Sequence, residues 1–85
     1  MQQKMRWVVG ANMPGYMPDG DVSHFPNWAD ARDCFIADVE RAIEDSDNPQ
    51  CYKIERGTIE RLRKQHVTGE AQTKIGDYIY WLMKL

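Results

Sequence analysis

Apolar and polar residues divide this chain into patterned stretches punctuated by turn chemistry. Met5-Arg6-Trp7-Val8-Val9 is short, aromatic and β-branched and stops at Gly10, which predicts a strand. From Trp28 onward, Ala31, Phe35, Val39, Ala42 and Ile43 recur at helical spacing. Asn27 is a good N-cap, and Asp30 and Asp33 favour the positive end of the helix dipole, so a helix is predicted from about Trp28 to Ser46. Its other face carries Arg32, Asp33, Glu40, Arg41 and Glu44, as a solvated surface does.

Asp47-Asn48-Pro49 ends that helix and prepares another, since Pro suits a first helical position. Cys51, Tyr52, Ile54, Ile59, Leu62 and His66 form an imperfect helical stripe, which predicts a second helix from about Pro49 to Gln65. Gly57 costs about 1 kcal/mol in a helix interior and marks the expected bend, with Thr58 able to cap a fresh start. Alternation through Tyr52, Ile54 and Arg56 also suits a short strand. Val67-Thr68-Gly69 closes this segment. Gly76-Asp77 then introduces Tyr78-Ile79-Tyr80-Trp81-Leu82-Met83, read as a strand although its length also suits a helix, because a lone N-terminal strand needs a partner for its backbone groups.

That order predicts an α+β fold: one small β-α-α-β domain over residues 1–85, with two antiparallel terminal strands packed against an αα-hairpin. In the last strand both alternating sets, Tyr78, Tyr80, Leu82 and Ile79, Trp81, Met83, are apolar. The second sheet face is therefore expected to be covered by a loop or by another copy in a homodimer.

At 85 residues the chain sits near the size at which one hydrophobic core suffices without staples. Its 42% hydrophobic and 28% charged residues exclude a disordered tail. A net charge of −2 gives no global footprint for nucleic acid, so such binding would need a local patch. Cys34 and Cys51 belong to no CxxC pair or Cys/His cluster and read as buried thiols. The start of the chain lacks a signal-peptide apolar region, and no apolar run approaches the ~18 residues of a membrane helix. A cytoplasmic location without a membrane partner is the expectation.

The stretch Asn12-Met13-Pro14-Gly15-Tyr16-Met17-Pro18-Asp19-Gly20-Asp21 carries two tandem turn signals, Pro14-Gly15 and Pro18-Asp19-Gly20. The prolines lower the entropy lost on ordering, and Met13, Tyr16 and Met17 offer adaptable thioethers and an amphipathic ring. These side chains either lid the core or bind a partner; in the second reading Met13, Tyr16 and Met17 are contacts, with Asp19 and Asp21 as a polar rim. Asp19, Asp21 and His24 have metal-ligand chemistry, but turn formation is the commoner use of Asp beside Gly, and the spacing is not that of an EF-hand. No metal or other cofactor is expected. Ser23 beside His24 lacks a third group and an oxyanion motif, Cys34 lies near a buried stripe and His66 is remote, so the expectation is a protein that is not an enzyme.

Lys53, Arg56, Arg61, Arg63 and Lys64 form the basic concentration, with Tyr52 nearby, and residues 53–64 are the alternative site for a nucleic acid or a nucleotide signal. Glu55 and Glu60 interrupt it, and pairs such as Glu60 with Lys64 suit a plain solvated face. Opposed to it is the acid-rich end of the first helix, Asp38, Glu40, Glu44, Asp45 and Asp47, able to present negative charge to a basic channel in another protein.

Residues Asn12 to Asp19, the acidic helix after Trp28 and the ending Gly76-Asp77-Tyr78-Ile79-Tyr80-Trp81 together resemble a group of small bacteriophage and prophage proteins. Those proteins open with a strand and an MPGYLPD-like loop, close with a GYVYWI-like strand, and have no assigned function. The resemblance covers the two ends of the chain; from Cys51 to Gln72 it is by residue type only. It implies a phage-encoded protein in the cytoplasm of an infected bacterium, which suits a host-takeover or defence-inhibitor role through binding a host protein, for example of a CRISPR-type complex. It implies no catalytic residue.

Overall fold

The computed structural model describes residues 4–15 and 22–85. In chain order the elements are β1 (Trp7–Asn12), β2 (Ser23–Phe25), α1 (Trp28–Asp45), a 3-10 turn (Pro49–Cys51), α2 (Lys53–Lys64), β3 (Ala71–Ile75) and β4 (Tyr78–Lys84). The fold is α+β, with the strands in one antiparallel sheet of order β2-β1-β4-β3. As expected, the two ends of the chain pair: Trp7 lies opposite Lys84, Val9 opposite Leu82 and Asn12 opposite Ile79. The Leu85 amide donates to the Arg6 carbonyl at 2.8 Å and extends the ladder past the last paired residues.

Two strands join the expected pair, one on each edge. β2 follows the turn-rich loop and runs beside β1, and β3 forms a hairpin with β4 across Gly76-Asp77. Gly76 takes φ +61 at the first central position of this two-residue turn, the arrangement of type II′, where only glycine sits without strain. β1 also runs through Gly10 to Asn12 instead of stopping there.

α1 begins as its sequence requires. Asn27 Oδ1 accepts the Asp30 amide at 2.9 Å, and the helix ends on Ser46, whose hydroxyl donates to the Ile43 carbonyl at 2.6 Å. Trp28, Ala31, Phe35, Val39 and Ile43 are buried, and so is Ile36, which broadens the stripe. This face packs on Trp7, Val9, Ile75 and Leu82 from the sheet and on Ile59 and Leu62 from α2. Phe35, Val39, Ile43 and Leu82 are fully enclosed, each such side chain adding about 1.5–3 kcal/mol of burial. Trp28 Nε1 donates to the Gly69 carbonyl at 2.9 Å, tying the start of α1 to the connection before β3.

The expected second helix is shorter and broken elsewhere. Pro49 nucleates a 3-10 turn, the chain departs from helical geometry at Tyr52, and α2 then runs unbroken through Gly57. Tyr52 is held there by its hydroxyl, which accepts the Gly76 amide at 3.1 Å. The cysteines also depart from expectation: Cys51 is exposed on the 3-10 turn, and Cys34 is half-buried because it lies at the edge of the α1 stripe. No helix among the described residues is long and apolar enough to cross a membrane.

Candidate partner-binding surface

Strand alternation and the registers sort the sheet into two faces. Trp7, Val9, Phe25, Ala71, Ile75, Tyr80 and Leu82 lie on the helix side. The opposite face is built in cross-strand rows: His24, Val8 and Met83; then Gly10, Trp81 and Gln72; then Asn12, Ile79 and Lys74. Among the described residues no helix covers it. Val8, Ile79 and Trp81 stay half-buried and Met83 is 46% exposed.

Trp81 is the fixed point of this face. Its indole lies over Gly10 so closely that a Cβ there would sit 2.5 Å from its ring, and Val22 closes the other side at 2.9 Å from the same point. The indole N–H donates to Asn12 Oδ1 at 2.9 Å, locking the ring at the root of the turn-rich loop. Glycine inside a strand, facing an aromatic ring on its neighbour, is the signal by which the sequence marks this contact.

Of the expected contact residues, Met13 is exposed just past the end of β1, one residue beyond Asn12 of this face. Tyr16, Met17, Asp19 and Asp21 lie outside the described residues. His24 is exposed on the helix-free face whereas its neighbour Ser23 alternates to the other, so strand geometry separates the pair considered as nucleophile and base. Among the described residues no three His, Cys, Asp or Glu side chains come together as metal ligands do. Cys34 donates its S–H towards Asp38 Oδ2 at 3.7 Å. Burial first, and then the Asp38 charge, push its thiol above the ordinary value, the reverse of what an activated thiolate needs. His66 is exposed beyond α2.

The basic residues of α2 are interspersed with carboxylates. Arg63 is held by Glu40 at 2.7 Å and Glu60 at 3.3 Å, and Arg56 lines a small depression with the same two carboxylates. Lys53, Arg61 and Lys64 are exposed, but at about 100° per residue Glu60 falls on their side of the helix. Comparison with known protein families, with curated proteins and with solved structures finds no match to this chain.

Proposed function

We propose that this protein is a small, non-enzymatic protein-binding module, phage-encoded and acting in the host cytoplasm, that occludes a functional surface of a host protein such as a defence complex. The observation that carries the binding part is the helix-free sheet face, where Val8, Ile79, Trp81 and Met83 meet solvent around a pinned indole. A preordered aromatic with the adaptable Met83 beside it supplies contact area at small entropic cost. Met13, exposed just past β1, leads into the loop in which Tyr16, Met17, Asp19 and Asp21 are the remaining contacts. The phage setting rests on the resemblance of the two chain ends. Nucleic-acid binding through Lys53, Arg56, Arg61 and Lys64 ranks second, because Glu40 and Glu60, which hold Arg63 and lie beside Arg56, lower the positive charge of that surface.

The test is capture from nuclease-treated host lysate by the wild type, by Met13→Ala with Met83→Ala, and by Tyr16→Ala with Met17→Ala. Each double variant is expected to keep its circular dichroism spectrum and lose its partner by about 2 kcal/mol or more, near thirtyfold in affinity. Full retention by both would overturn the reading. Capture abolished by nuclease and by Arg61→Ala with Lys64→Ala would favour nucleic acid. A sedimenting dimer dispersed by Met83→Asp would assign the face to a second copy of the chain.

A further inference from the structure

On the helix side of the sheet, three depressions of about 230, 440 and 410 Å³ run beside the C-terminal half of α1. They share walls: Tyr78 and Tyr80 line the first two, and Asp45, Ser46 and Gly76 line the last two, so they form one continuous groove. Tyrosine rings lie along it, from Tyr80 and Tyr78 to Tyr52 at the far end. One wall is the α1 edge bearing Asp38 and Asp45, and the other is the β3–β4 turn bearing Asp77. Asp47 closes the end.

The groove's charge is one-sided. Its lining holds those four carboxylates and no Lys or Arg, in a chain whose net charge is only −2. Among the described residues none of the four is in an ion pair, although Arg63 collects two glutamates on α2's side. Arg41 is the nearby cation, close enough to act on the Cys34 thiol, yet it does not line the groove. The placement also works against α1 itself. The last turn of this helix has no basic residue, and Asp45 and Asp47 sit at the end where backbone carbonyls already carry partial negative charge. Helix stability therefore does not explain them, whereas their field and that of the carbonyls add up on anything cationic lying in the groove. Half-buried Tyr80 feels it: burial, then Asp38, push its hydroxyl above the ordinary value.

We propose that this groove binds an extended, arginine- or lysine-bearing segment of a partner protein. Tyrosine faces attract guanidinium and ammonium groups through their quadrupoles, and the aspartates on both walls receive them as charge-assisted hydrogen-bond partners. From Asp38 to Ser46 the wall is about 12 Å long at 1.5 Å per residue, the span of roughly four extended residues. Cationic side chains at alternate positions would then meet the walls while the intervening ones face solvent. The groove lies on the sheet side opposite the face proposed above and rests on no part of that reading.

The test is an amide-shift titration of the full chain with acetyl-Arg-Gly-Arg-Gly-amide, with acetyl-Glu-Gly-Glu-Gly-amide and spermidine as comparison probes. The arginine peptide is expected to move Asp38, Asp45, Gly76 and Tyr78, with submillimolar affinity that falls as salt rises from 50 to 300 mM. Asp45→Asn with Asp77→Asn, both exposed, should weaken it at least tenfold, as should Tyr78→Ala. Glu55→Gln with Glu60→Gln removes the same charge from α2 and should change affinity less than twofold. Equal losses from the two charge-matched pairs would overturn the site in favour of bulk attraction. So would shifts confined to the helix-free face, no binding at millimolar peptide, or spermidine binding as tightly as the peptide.

Discussion

Gly10 shows how one residue was legible in kind and misread in consequence. Read along the chain it ends a strand, since glycine weakens strands and punctuates them. Read across the sheet it is the space into which the Trp81 indole fits, and that requirement appears only once β1 and β4 are paired. Gly10→Ala separates the two accounts. In an ordinary strand the change gains about 0.5–1 kcal/mol of backbone entropy, but here the added methyl meets a ring fixed by Asn12 and flanked by Val22. A net loss of about 1–3 kcal/mol is expected from urea unfolding. In a Trp81→Val background the same substitution should lose most of that cost, because the nearer obstacle has gone and only the movable Val22 side chain remains close. A Gly10→Ala protein as stable as the wild type would show that the indole moves freely. The buried row of α1 needed no such cross-chain knowledge: Phe35 and Val39 were readable from spacing because a helix brings its own turns together.

At the scale of elements, legibility follows the range of the interactions that decide the outcome. α1 has a local cap, a local stripe and a local stop, and its observed bounds differ from expectation by one residue. β3 is polar at alternate positions, Ala71-Gln72-Thr73-Lys74-Ile75, and short, so nothing in its own composition outweighs a loop. The available signal was Gly76-Asp77, a two-residue hairpin dipeptide between two alternating runs. In α2 the expected bend at Gly57 gives way to a break at Tyr52, because the Tyr52 hydroxyl is tethered across the groove to Gly76. With the break taken there, Gly57 is an ordinary exposed helix position, and a Cβ added to it would meet nothing within 4 Å. Gly57→Ala should therefore stabilise the protein by about 1 kcal/mol and raise Tm by about 4–8 °C in calorimetry, as expected for a domain of this size. A lower Tm would mean that α2 is not continuous through residue 57.

For the whole molecule, the decisive contact joins residues at opposite ends of the chain. The pairing was inferable because two isolated apolar strands each leave backbone groups unsatisfied, and the helices between them can return the chain. Which surfaces would be used was less legible: the tyrosine groove depends on where β3 places its turn, and the helix-free face on how far β1 extends. Central placement of β1 and β4 also sets the folding route. Their ladder can form only after a very long loop closes, and closure entropy is lost before the contacts form. Because the Leu85 amide already meets the Arg6 carbonyl, joining Leu85 to Met1 and opening the chain between exposed Val67 and Thr68 converts β4–β1 into a local hairpin. The new break lengthens the approach of β3 and its turn, at a sheet edge, to α1, Tyr52 and α2. This permutant should fold to the same structure and refold faster by about one order of magnitude in stopped-flow measurements, while its unfolding rate changes little. An unchanged refolding rate with an intact fold would show that β1 and β4 pair only after the rate-limiting step, leaving α1 and the β3–β4 hairpin to form the nucleus.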